Sequence, residues 1–200
     1  MISILLLPFL TCVALVLIHT YFGSIVLKRG IIFIDLALAQ WAALGYLVGH
    51  WLDFENQVYL FLIGFSFTIF AALILTLLKP VFNKPNLQEA IIGVSYILGI
   101  SIAYCLIVST GMEGHHLNEM LSGHLLFVSL AELKTTYILY SIIFLFILWK
   151  HHSISNKHSL SWTFIFYVLF GLVVTSSVKM VGILLIFSSL SSSEKPRSLH

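Results

Sequence analysis

Apolar runs and polar breaks alternate along the chain in a way that predicts helices crossing a lipid layer. At about 1.5 Å rise per residue, an apolar layer about 30 Å thick takes about 20 residues to cross. Six stretches qualify: Ile2–Leu27, Arg29–Gly49, Val58–Leu78, Asn86–Val108, Leu133–Trp149 and Trp162–Leu190. The breaks are the basic Lys28-Arg29-Gly30, the acidic loop His50–Gln57 with Asp53 and Glu55, and the proline-bounded basic turn Lys79–Pro85. After these come STGMEGHHLNEMLSGH, expected to hold a short surface helix, and the flank WKHHSISNKHS. The last stretch exceeds one crossing and Lys179 interrupts it, so a helix to about Val178 followed by a short apolar segment is expected. The pattern predicts an all-α polytopic membrane protein of about six transmembrane helices, one domain over 1–190 and a polar tail over 191–200.

The second stretch, RGIIFIDLALAQWAALGYLVG, differs from the others by carrying Asp35 and Gln40 among small residues. On a helix Asp35, Ala39, Ala42 and Ala43 fall at i, i+4, i+7 and i+8, one narrow face. Gly45 and Gly49 add a Gly-x-x-x-Gly step that lets a second helix approach closely. A carboxylate on such a face points into protein or a wet cavity, so this helix is expected to be the one the others enclose. Asp35 and Gln40 are the candidate path residues; Ala39, Ala43, Gly45 and Gly49 are the candidate packing residues. An intramembrane carboxylate marks a pathway by default. Yet Asp35, about four residues or 6 Å into its helix, has the helix N-terminus and Arg29 as local alternatives.

Composition supports the class. The 200 residues are 60% hydrophobic and 9% charged, with mean hydropathy +1.05, against about 25% charged in a soluble globular chain. A net charge of +2 points to no nucleic acid. Cys12 and Cys105 sit in apolar runs and imply neither a disulfide framework nor a thiolate metal site. The first stretch lacks a basic lead-in and a small-x-small cleavage site, and reads as a retained helix. Its His19 reads as a packing residue. Asn86-Leu87-Gln88-Glu89 fits a capping box, with a gating role for Glu89 as the alternative. His115 and His116, four and three residues before Glu119, place two imidazoles and a carboxylate on one helical face; this is an outer metal contact or a solvated loop. The 1–2, 3–4 and 5–6 loops hold Lys28, Arg29, Lys79, Lys84, Lys150 and Lys157, whereas the other two hold only Lys134. The positive-inside rule then puts the N-terminus outside.

RGIIFIDLALAQWAALG resembles the second-helix signature of the metal-importing ABC permease family, the membrane subunits of zinc, manganese and iron uptake systems. QEAIIGVSYILG is similar to that family's fourth-helix start, GMEGHHLNEMLSGHLLFVSLAEL to its segment before the fifth helix, and FYVLFGLVVTSSVKMVGILLIF to its late-helix signature. These stretches occur in the family's order over most of residues 20–188. Two departures stand out. Many members carry Asp-x-x-x-His on the second helix, whereas the residue four after Asp35 is Ala39, and Gln40 lies roughly 140° around the helix. Members also continue through further spans after the GILL segment, whereas this chain turns into SLSSSEKPRSLH, an apparent C-terminal truncation or frame alteration.

The resemblance implies a permease of the bacterial cytoplasmic (inner) membrane that works by alternating access, as a homodimer in the family's manner of assembly. An ATP-binding ABC subunit would dock on its cytoplasmic loops and an extracytoplasmic metal-binding protein would deliver the ion. The transported species would be a divalent ion (Zn, Mn or Fe), with no permanently bound cofactor. The chain lacks G-x-x-x-x-G-K-[ST], so ATP hydrolysis would fall to the partner. An intramembrane enzyme is disfavoured by the absence of His-Glu-x-x-His, Gly-x-Ser-x-Gly and paired transmembrane carboxylates. A non-transporting membrane interaction protein, or an inactive truncated permease, is the remaining alternative.

Overall fold

The computed structural model describes residues 2–80, 85–110, 130–155 and 159–191, with residues 2–5, 85–86, 132, 151–155 and 179–191 described as backbone only. Six helices occur among them: α1 (Ile2–Arg29), α2 (Ile34–Trp51), α3 (Gln57–Leu78), α4 (Pro85–Thr110), α5 (Leu130–Ser155) and α6 (Leu160–Ser191). The protein is an all-α polytopic membrane protein. Five of the helices are long and apolar enough to cross a membrane; α2 is not among them.

Local chemistry sets the first boundaries. Gly30 adopts φ 70°, a conformation that costs glycine little. Its N–H donates to the Leu27 carbonyl at 3.1 Å and that of Ile31 to Val26 at 3.4 Å, the paired bonds of a Schellman C-cap. The same device ends α2, with Asp53 at φ 56°, Asp53 N–H donating to His50 at 3.0 Å and Phe54 N–H to Gly49 at 3.1 Å. The side chain of Asn56 then caps α3 by accepting from Val58 N–H at 2.9 Å. Because α1 closes at Gly30, the second helix opens at Ile34 rather than at Arg29. Asp35 therefore lies in its first turn, not four residues in.

Two further expectations are corrected. The α6 helix continues through Lys179 to Ser191 without the break expected after Val178; helical hydrogen bonding carries one polar side chain in a long apolar run. The α4 helix opens at Pro85, one residue before the expected cap Asn86; proline suits a first helical position, where its missing N–H goes unused. The α5 helix kinks at Lys150 (φ −109°, ψ 18°), where the polar flank begins. The segment 111–129, with His115, His116 and Glu119, lies outside the described residues.

The helices form two groups joined by α6. The α2 helix packs against α3, α4 and α6, while α1 and α5 pack against each other and against α6. Phe22 of α1 stacks on Phe170 with ring centroids 5.0 Å apart and lies 5.8 Å from Phe166, seaming α1 to α6. From Ala37 to Leu47 only Gln40 escapes full burial. The one described helix that is not by itself long and apolar enough to cross a membrane is thus the most enclosed, which removes its need for lipid-facing side chains.

Candidate functional site

The small residues of α2 let its neighbours close around it. A Cβ on Gly45 would stand 2.7 Å from Gly64 Cα and 2.9 Å from the Ile63 carbonyl, so α2 and α3 cross backbone against backbone. A Cβ on Gly49 would meet the Leu60 and Ile63 side chains instead. Ala39, Ala42 and Ala43 are buried. Gln40 does not share the Asp35 face: its Cγ lies 3.0 Å from where a Gly99 Cβ would stand, against α4. Beside it the Trp41 indole N–H donates to Ser95 of α4, with Oγ at 3.0 Å and the carbonyl at 3.2 Å.

Asp35 lies in the first turn of α2, where the helix N-terminus favours negative charge. Its Oδ1 is buried and accepts no hydrogen bond among the described residues. Arg29, the local alternative partner, holds its guanidinium 4.2 Å above the Phe166 ring of α6. Glu89 of α4 likewise buries an Oε1 that accepts no hydrogen bond among the described residues.

A polar hub that no motif announces joins the helices at α6. Three successive residues of α6, Thr175, Ser176 and Ser177, each reach a different neighbour in an otherwise apolar interior. Thr175 shares a hydroxyl–hydroxyl bond of 3.0 Å with Thr68 of α3 and accepts at its carbonyl from Tyr46 of α2 at 3.3 Å. Ser176 shares a 3.0 Å bond with Tyr140 of α5. Ser177 Oγ lies 3.4 Å from His19 Nε2 of α1. The signal was the triplet itself: three adjacent hydroxyls in an apolar helix face three directions, about 100° apart.

At one end of the bundle Lys79, just past α3, donates to Thr163 of α6 at 2.6 Å. It lines a small recess with Gln88, Ile91 and Ile92 of α4 and Tyr167 of α6. Burial, then the positive Arg29 nearby, hold its ammonium below the usual lysine range. This end therefore gathers two cations beside the first turns of α4 and α6. No group of three or more His, Cys, Asp or Glu side chains suited to a metal occurs among the described residues.

Compared with known proteins, residues 1–192 match the sequence profile of the ABC 3 transport family. Among solved structures, PsaBC from Streptococcus pneumoniae in complex with Fab superposes with a TM-score of 0.70 at 20% identity, over 94% of this chain and 69% of that one. At that identity the likeness is one of fold. None of the curated proteins compared matches the chain.

Proposed function

The chain belongs to the ABC 3 transport family, and on that premise we propose that it is the membrane permease subunit of an importer for divalent transition-metal ions, with α2 lining the path. The observation that carries this is the buried Oδ1 of Asp35, which accepts no hydrogen bond among the described residues and lies on the most enclosed helix. A carboxylate in an apolar interior is costly to retain and suits a positive species in passage.

In this reading the protein hydrolyses nothing itself. An ATP-binding subunit docks on the end where Arg29, Lys79 and the first turns of α4 and α6 meet, and an extracytoplasmic binding protein supplies the ion at the other. The basic loops make the first end cytoplasmic and the N-terminus external. A paired copy of the permease completes the path, in a bacterial inner membrane. The ion is zinc, manganese or iron, and Glu89 near the docking end gates or couples.

Uptake of radiolabelled zinc and manganese by cells co-expressing the chain with its ATP-binding subunit tests the reading. Asp35→Asn keeps size and hydrogen bonding while removing charge. It should co-purify with the ATPase at wild-type yield and lose ion uptake. Wild-type uptake by a well-expressed Asp35→Asn protein removes Asp35 from the path. Loss of expression along with uptake, reproduced by Arg29→Gln, assigns both residues to folding instead.

A further inference from the structure

One end of the bundle collects positive charge and hydrogen-bond donors at a single depth. Arg29 is the last residue of α1 and Lys79 the first past α3, while Gln88 and Thr163 lie near the starts of α4 and α6. The 22 residues of α3 span about 33 Å at about 1.5 Å per residue. Lys79 therefore stands where an apolar layer about 30 Å thick gives way to headgroups. Two of these side chains converge on one face of α6. Lys79 donates to Thr163 Oγ1 at 2.6 Å, and the Arg29 guanidinium lies 4.2 Å from the centre of the Phe166 ring. Thr163, Phe166 and Tyr167 stand at i, i+3 and i+4, which are neighbours on a helix surface. Tyr167, only 4% exposed, lines the same recess as Lys79 and Gln88. Asp35 and Glu89 are acidic side chains near the starts of α2 and α4. Each buries an oxygen that accepts no hydrogen bond among the described residues, so the donors are not turned to those oxygens. An ammonium carries three N–H groups, a guanidinium five and a phenol one O–H. Two fixed positive charges set side by side with such donors are the complement of an oxyanion.

We propose that Arg29, Lys79 and Tyr167 form a binding site for the phosphate of an anionic phospholipid. Phosphate is the anion a bilayer offers at this depth, and basic pockets between transmembrane helices bind such headgroups. The planar fork of Arg29 suits two phosphate oxygens at once, and Lys79 adds a point charge. The recess is small, so the phosphate rests at its mouth. Leu75, Leu78, Ile91 and Ile92 supply apolar walls, and beside them Leu77 and Leu87 are exposed. A ligand with methylenes next to its phosphate gains from that surround, whereas a soluble anion does not. A carboxylate from a partner protein would have to bring its polar backbone to the edge of the apolar layer. Bound there, one lipid phosphate holds the ends of α1 and α3 to α6. The site depends on the bundle crossing a membrane, not on what the chain transports.

The full chain, purified in a neutral detergent, is titrated with phosphatidylglycerol, phosphatidylcholine or inorganic phosphate, and native mass spectrometry counts the bound molecules. Phosphatidylglycerol should bind about fivefold tighter or more than phosphatidylcholine, whose choline cancels the charge of its phosphate. Lys79→Gln should cut that preference about fivefold, the loss expected for one basic residue at a membrane surface. Lys79→Arg should keep it. So should Lys150→Gln, which removes a charge seated over Trp149 on α5. Wild-type protein that binds the two lipids equally overturns the proposal, however the variants fold. Equal losses in Lys79→Gln and Lys150→Gln overturn it too, since the attraction is then spread over the whole surface. If Lys79→Gln binds phosphatidylglycerol as the wild type does, the lipid site fails and the two cations are left to the docking ATPase. Displacement of the lipid by millimolar inorganic phosphate assigns the site to a soluble anion instead. None of these outcomes bears on the transport reading, which uptake tests separately.

Discussion

Trp41 shows how one side chain fixes a helix whose neighbours supply little hydrogen bonding. Its N–H divides between the Ser95 hydroxyl and carbonyl, and its ring meets Phe70 edge-on at 5.8 Å. Interhelical hydrogen bonds in membranes average about 0.6 kcal/mol. Ser95→Ala should therefore lower stability by no more than about 0.6 kcal/mol, because the carbonyl remains. Trp41→Ala should cost about 3 kcal/mol or more through lost packing. Reversible unfolding in mixed micelles measures both, and equal losses would overturn the assignment of packing as the larger effect. The Thr68–Thr175 bond allows a double-mutant cycle with valine at each site; the expected coupling is again about 0.6 kcal/mol. Asp35 and Gln40 stood out in the sequence because they are polar among apolar neighbours. Their separation onto different faces followed from helix geometry. The contact of His19 with Ser177 did not stand out, because those residues are 158 positions apart and only tertiary packing brings them together.

At the scale of the helix pair, α2 and α3 meet where neither has a side chain. Gly45→Ala would press a methyl group on the Gly64 backbone, which cannot rotate away. Overpacking of this kind costs about 1–3 kcal/mol. Assembled yield should fall for Gly45→Ala and further for Gly45→Leu, but not for Gly23→Ala or Gly93→Ala, where a Cβ meets nothing within 4 Å. Gly49→Ala should be milder, since the tip of Leu60 can yield. Size-exclusion profiles of the four alanine variants give the ranking, and wild-type behaviour of Gly45→Ala would place this face away from α3. Hydrophobic periodicity located α3 to within a residue, because an acidic loop and a basic turn bound it. It misplaced the start of α2, because the apolar run continues past Gly30 and only the left-handed glycine stops the helix.

For the whole molecule, the bundle gathers Arg29, Lys79 and the starts of α4 and α6 at one end. If that end faces the cytoplasm, Phe82→Cys should react with a membrane-impermeant thiol reagent only in inverted vesicles. Leu117→Cys should react in intact cells. A Cys12→Ser, Cys105→Ser background removes the native thiols, and the reverse pattern would invert the topology. The fold class was legible because 60% hydrophobic residues in six long runs leave few alternatives to a helical bundle in lipid. The grouping of helices around α6 was not, because lipid-facing and protein-facing leucines look alike in sequence.

The poor apolarity of α2 also bears on how the protein is made. A segment with Asp35, Gln40 and His50 gains little by leaving the insertion machinery for lipid on its own, and the four residues 30–33 tie it closely to α1. The expected order of biogenesis is that α1 enters first and α2 waits beside it until α3 and α4 emerge to receive it. Nascent chains ending in a glycosylation reporter after α2 should therefore show mixed topology, and chains extended through α4 a single one.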